Sequence, residues 1–238
     1  MKEGLVAGGR FPQGPPQWRE ARGGCLVVDW DLKTNLQGLY AAGHIGGTGG
    51  SAGSSTTGRY AGRKAAEYAL NANEPVIERK QVEEEKARVY APLKQKGDIG
   101  WKELHAGSAR IMQDYCGEYK SEKTLKAGLE WLASVRESEG SNTLVRNPHE
   151  LMRVQECMSR ITAGEMVMHA SLARKASSRP LGFQRLDYPD MDPPDWNKFV
   201  TIRLEKGEVK TGELPFNYWL LPPYDSTYKE NYEKHCSL

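Results

Sequence analysis

The stretch that decides how this chain folds runs Thr34-Asn35-Leu36-Gln37-Gly38-Leu39-Tyr40-Ala41-Ala42-Gly43-His44. It continues through the glycine-dense Ile45-Gly46-Gly47-Thr48-Gly49-Gly50-Ser51-Ala52-Gly53 and ends in Gly58-Arg59-Tyr60-Ala61-Gly62. Leu39-Tyr40-Ala41-Ala42 has the character of a short strand after a turn at 34–38, and Cys25-Leu26-Val27-Val28 that of a strand before it. A helix is expected from Ser54 or Ser55 to about Leu70. A strand that runs into a glycine loop and opens a helix is an anion and dipole site. Glycines let backbone approach a flat or charged ligand, and the free N–H groups of the first helical turn point at it. The helical face with Gly58, Ala61, Gly62, Ala65 and Ala69 carries small residues at three- and four-residue spacing. Such a face packs closely on a neighbour. That neighbour is expected to be a sheet the chain does not build, which leaves apolar surface exposed around Val27, Leu39, Tyr40 and Ala61.

Working outward, three regions follow. Residues 1–75 hold this segment behind a Gly/Pro-rich opening at 8–16, which suits loop or extended chain. Residues 76–178 are helical. A charged helix covers Lys80–Tyr90, and apolar residues keep a helical period from Trp101 to Tyr119 and again at Leu125, Leu129 and Leu132. The longest helix is expected from Pro148 to Arg174, with Asn147 as N-cap, Pro148 at N1 and Glu150 as capping acid. Three such helices with short connections make a small antiparallel bundle. Residues 179–238 begin with helix-breaking prolines. Phe199–Leu204, the turn Lys206-Gly207 and Glu208–Gly212 form a hairpin. The Pro- and Tyr-rich tail from Leu214 is expected to be an extended arm.

Bulk numbers exclude several functions. With 238 residues, 38% hydrophobic and 27% charged, the chain is long enough for a core. A net charge of +2 gives no basis for nucleic-acid binding. No apolar run reaches the roughly 18 residues of a membrane span, so direct membrane insertion is not expected. The N-terminus has no apolar secretory core, which favours the cytoplasm. Cys25, Cys116, Cys157 and Cys236 are too scattered for a zinc or iron–sulfur motif, so no metal site is expected and they suit reduced thiols. No Walker A lysine lies in the glycine loop. Gly47 to Gly53 comes near a G-x-G-x-x-G fingerprint with one residue too many. A bare structural turn and an independent dinucleotide site both remain open on spacing alone.

The segment resembles the last FAD-contacting segment of the fumarate reductase / succinate dehydrogenase flavoprotein family, which also includes L-aspartate oxidase and the adenylylsulfate reductase alpha subunit. The family pattern T-x-x-x-G-L-Y-A-A-G-E, Gly-rich loop, G-R-x-A-G is met by Thr34, Gly38 to Gly43 and Gly58 to Gly62. Gly23-Gly24-Cys25 resembles the G-G-I before it, and the helical bundle resembles the family's C-terminal helical domain. Ala173 to Arg179 resembles A-R-x-E-S-R. Arg185-Leu186-Asp187-Tyr188-Pro189, Asp192 and Trp196 resemble R-x-D-Y-P-x-x-D…W. The resemblance implies an α/β fragment, the end of an FAD-binding Rossmann-like domain, then an α-helical bundle and a β-hairpin with an extended C-terminal tail. It implies FAD shared with a missing N-terminal half, and an FAD-dependent oxidoreductase incomplete without that half. An N-terminal FAD-binding polypeptide is the implied partner, and any iron–sulfur cluster belongs to a partner subunit. The implied cofactor-binding residues are Gly43, His44, Gly49, Gly50, Ser51, Ala52, Ser54 and Ser55, most of them through backbone N–H groups. His44 stands where the family has an acid. The loop lacks the family's substrate-gripping arginine, and Trp18 to Arg22 lacks its histidine, so no catalytic residue is assigned and a C4 dicarboxylate substrate is not implied. The alternative is a non-catalytic assembly module that docks a partner subunit through bundle and tail.

Overall fold

The computed structural model describes residues 24–235. They fall into two compact units, one of residues 77–213 and one of residues 24–76 together with 214–235. The Gly/Pro-rich opening, Trp18 to Arg22, Gly23 and Cys236 lie outside the described residues.

The first unit is built on a bundle of α3 (Trp101–Tyr115), α4 (Glu122–Glu137) and α5 (Pro148–Ala173), preceded by α2 (Arg79–Tyr90). Leu104, Ile111, Met112, Leu125, Leu132, Ile161 and Met168 form its core. Burial of each such side chain contributes about 1.5–3 kcal/mol, which makes this apolar periodicity the main support of the bundle. Gly128 allows close approach: a Cβ there would sit 2.7 Å from Tyr115 Cβ and from the Met168 methyl. The helix starts are set by side chains. Ser121 Oγ accepts from Thr124 N at 3.2 Å, and Thr124 Oγ1 accepts from Ser121 N at 2.9 Å. Asn147 Oδ1 accepts from Glu150 N at 3.0 Å, while Glu150 Oε2 accepts from Arg146 N at 2.8 Å. By contrast, α2 buries none of its residues.

After α5 the chain returns to the bundle. Two-residue strands β1 (Tyr119–Lys120) and β2 (Gln184–Arg185) pair in parallel, a contact that no periodicity announces. It carries Arg185, 1% exposed, to the end of α5. Its guanidinium donates to the carbonyls of Ser171, Leu172 and Arg174. On its other edge it grips Asp187 at 2.8 and 2.7 Å. Asp187 also accepts from Glu122 N at 2.8 Å, at the first turn of α4. One ion pair thus closes the electronegative end of α5 and the electropositive start of α4. The hairpin β3 (Lys198–Glu205) and β4 (Glu208–Pro215) turns on Lys206 and Gly207, both at positive φ (52° and 83°), as a tight type I′ turn requires.

In the second unit α1 covers Gly50–Asn71, four residues earlier than the sequence indicates. The two strands expected before it do not form as strands. Residues 25–28 make one backbone bond, Leu26 N to Ile45 O at 2.8 Å, and 39–42 contribute a single antiparallel bridge, Lys33 to Tyr40. A strand exists through its ladder, and among the described residues no neighbouring strand is present in this unit. The sheet of a Rossmann-like domain is therefore not seen. Exposure agrees with the expectation of an unmet neighbour at Leu39, 45% exposed, but Ala61 at 7% is covered. The tail corrects the extended-arm expectation. It forms a single 3-10 turn at Tyr218–Leu220 and then α6 (Asp225–His235). The helix starts two residues past Pro223, with Asp225 at its positive end, where an acid is favoured. Tyr218 Oη donates to Val28 O at 2.9 Å, and Trp30 Nε1 donates to Trp219 O at 3.1 Å.

Candidate functional site: the glycine loop and the start of α1

The loop folds as one 3-10 turn over Gly43–Gly46, closed by Gly47 in the left-handed region. Thr57, about two turns into α1, holds it. Its Oγ1 donates to Gly53 O at 2.7 Å, accepts from Gly43 N at 2.9 Å and lies 3.2 Å from Thr48 Oγ1. Thr48 in turn donates to Gly43 O through its N at 2.9 Å and its Oγ1 at 3.1 Å. Gly43 is buried with φ +67°, and a Cβ there would approach Ser54 Oγ to 3.0 Å. Thr48 and Thr57 are thus the residues that sequence reasoning missed. The only signal for them was a threonine four residues after a helical glycine, able to bond back to its carbonyl.

Of the residues expected at a cofactor, Gly43 is interior. His44, Gly49, Gly50, Ser51, Ala52, Ser54 and Ser55 are exposed and lie together at the loop and first turns of α1. His44 sits beside Gly49, where a Cβ would be 3.8 Å from its Cε1. Gly50 has φ +80° with open space around the missing Cβ. Gly49 at the N-cap position offers no side-chain cap, and no acidic residue lies in the first turn. The start of α1 therefore presents backbone N–H groups and partial positive charge that, among the described residues, meet neither a capping side chain nor a first-turn acid. Small side chains at 49–54 leave that end accessible to a flat, electron-rich group. A helix start of this kind suits the partly negative edge of a flat ligand. These residues provide no cradle for a pyrophosphate.

Replacing Thr57 with valine keeps the shape and removes all three hydroxyl contacts, so the buried Gly43 N–H loses its acceptor. Exchange of the Gly43 and Thr48 amides should accelerate about ten- to a hundredfold, since an orphaned donor costs about 1–3 kcal/mol. Bundle amides should not change. Equal protection in both proteins would show that Thr57 does not hold the loop.

Among the described residues no three His, Cys, Asp or Glu side chains come together as a metal site. No helix among them is long and apolar enough to cross a membrane. Cys25 is exposed, Cys116 half-buried and Cys157 buried, each as a free thiol. Burial pushes the Cys116 thiol up, against the nearby Lys120 charge, and pushes the Lys120 ammonium down. In both groups burial works against the charged form.

A family model described as fumarate reductase flavoprotein C-term matches residues 105–228. The fumarate reductase flavoprotein subunit of Haemophilus influenzae is 26% identical over 193 residues, 74% of this chain and 32% of that protein. The Escherichia coli subunit of the same name is 26% identical over 219 residues, 81% of this chain and 36% of that protein. Among solved structures, adenylylsulfate reductase from Archaeoglobus fulgidus superposes with a TM-score of 0.72 at 28% identity, over 78% of this chain and 33% of that one. The chain thus spans about a third of the length of the relatives it matches.

Proposed function

This chain belongs to the fumarate reductase flavoprotein C-terminal family, and we propose that it supplies the flavin-facing loop and helix start of an FAD-dependent oxidoreductase completed by an N-terminal FAD-binding region. The observation that carries this role is the uncapped start of α1 behind a Thr57-locked glycine loop. FAD, when bound, supplies the hydride and electron chemistry. The residues of this chain orient the ring through N–H groups between Gly49 and Ser55. They also favour the negative charge that collects at the pyrimidine edge on reduction. The unladdered backbone at 25–28 and 39–42 and the bare α1 glycines support the need for a completing region. A Cβ at Gly58 or Gly62 would meet nothing within 4 Å. A mid-helix glycine costs about 1 kcal/mol relative to alanine, so a close neighbour outside this chain gives both a purpose. An iron–sulfur subunit would dock on the assembled protein, in the cytoplasm.

The test is a titration and a co-purification. The chain alone should bind FAD weakly or not at all, because its described residues form no pyrophosphate cradle. Co-expressed with its N-terminal flavoprotein region, it should purify as a yellow complex. Tight stoichiometric FAD binding by the chain alone, or a colourless complex, would sink the proposal. The assembly-module reading is favoured by one feature, α2 with no buried residue, and a colourless complex is what it expects.

A further inference from the structure

One face of α1 borders a groove of about 840 Å³ within the second unit, closed on its other side by α6. Its walls are Trp30, Tyr60, Tyr228 and Tyr232, with Arg59 and Arg63 one helical turn apart on its rim. Trp, Tyr and Arg are the residue types that dominate binding energy at protein interfaces. The groove is shaped before anything enters it. Trp30 packs on Tyr228 with ring centroids 4.7 Å apart. Beneath, Asp31 accepts from Tyr60 Oη at 3.0 Å and from Asn231 Nδ2 at 3.1 Å, and lies 3.3 Å from Lys64 Nζ. Burial pushes the Asp31 carboxyl up, but these partners outweigh it and hold it below the usual range, so the tie between α1 and α6 stays ionised at neutral pH. Such preorganisation lowers the ordering cost of binding.

Charge decides what fits. Asp31 is spent on Lys64 below the floor, no carboxylate lines the groove, and among the described residues neither Arg59 nor Arg63 pairs with one. Two exposed guanidiniums therefore flank an aromatic cleft with no compensating acid. The same helix carries the bare Gly58 and Gly62 beside Arg59, so the groove continues the surface that a neighbour must cover. The relatives are about three times as long as the match, which leaves a large region to supply that neighbour.

We propose that this groove anchors the N-terminal flavoprotein region, which fills it with a segment bearing carboxylates beside an aromatic or aliphatic side chain. The proposal rests on the reading that such a region completes the chain. The carboxylates take Arg59 and Arg63 in forked hydrogen bonds, and the apolar side chain enters between Trp30 and Tyr232.

The experiment measures the affinity of this chain for its own N-terminal flavoprotein region, expressed as a separate polypeptide. It compares wild type, Arg59→Glu/Arg63→Glu and Arg59→Lys/Arg63→Lys. Both arginines are exposed and neither makes an ion pair among the described residues, Arg63 only facing the Tyr60 ring at 5.9 Å, so reversal should leave the circular dichroism unchanged. Wild-type binding should weaken as salt rises. The double glutamate variant should bind at least about a hundredfold more weakly, and the double lysine variant should stay within about tenfold. Wild-type binding with an equally tight glutamate variant would overturn the groove proposal and leave the proposed function standing. No wild-type complex would overturn both. If the chain instead forms dimers that Arg59→Glu/Arg63→Glu dissolves, the occupant is a second copy and the proposal fails.

Discussion

Replacing Arg185 with methionine should lower the urea midpoint of the helical unit by about 1–2 M. The guanidinium is 1% exposed and holds three carbonyls at the end of α5. Methionine fills much of the volume but leaves those carbonyls unpaired, and it strips Asp187 of its partner. Breaking a buried, multiply bonded ion pair costs about 3–5 kcal/mol, and a urea slope of about 2.5–3 kcal/mol/M, the upper part of the range and suited to a unit of this size, converts that to the stated shift. Lysine should rescue little, because it lacks the planar fork that meets Asp187 at two points. The pair also has an acid signature. The hydrogen bonds from Arg185 are the chief cause that holds the Asp187 carboxyl down at about 2, from its ordinary 3.8. A depressed carboxyl contributes stability that is complete above its unfolded value and disappears as pH falls through its folded one. Stability should therefore fall between about pH 4 and pH 2, by on the order of 1–2 kcal/mol for this group. Asp187→Asn should flatten that descent. An Arg185→Met midpoint within 0.3 M or so of wild type would mean that α5 ends adequately without the clamp.

Gly50→Val should reduce flavin occupancy of the assembled protein about tenfold or more, while Ser51→Ala should leave it near wild type. Gly50 opens α1 at φ +80°, a conformation that a β-branched residue adopts only with strain. The space around its absent Cβ is open, so the damage comes from backbone rearrangement and not from collision. Turning that peptide re-aims the N–H groups of 50–52 away from the ring. Loss of one charge-assisted hydrogen bond is worth about 1.5–3 kcal/mol, which gives the tenfold figure. Visible flavin absorbance per mole of complex, and the reduction potential, are the readouts. Equal values for wild type and Gly50→Val complexes would show that the loop does not touch the flavin.

The bundle was legible because its information is periodic. Leu104, Ile111, Leu125, Leu132, Ile161 and Met168 repeat at helical spacing, and all are buried. The cap of α5 was legible for a similar reason, since Asn147, Pro148 and Glu150 act within one turn. The hairpin turn at Lys206-Gly207 needs only two adjacent residues. What stayed hidden depends on distant partners. Arg185 reaches α5 and α4 from a two-residue strand whose existence depends on Tyr119–Lys120. Strand character at 25–28 and 39–42 was real in composition, but a ladder needs a second strand. The tail looked irregular from its Pro-Pro-Tyr start, and the helix lies just beyond. At the glycine loop, the placement of seven exposed residues around one helix start could be anticipated. The Thr48–Thr57 lock could not, because threonine looks the same on a surface as in a hinge.

The Arg185 clamp also sets an order of events during synthesis. The ribosome adds about 5–20 residues per second, so Ser171 leaves it on the order of one second before Arg185 does. Until then the last carbonyls of α5 are served only by water, and the first turn of α4 waits for Asp187. The apolar seam of α3, α4 and α5 can close in that interval, because every core residue in it has already been made. The segment after α5 then works as a latch on a bundle already assembled. A nascent chain stopped just short of residue 185 would hold its three helices together with both ends unfastened.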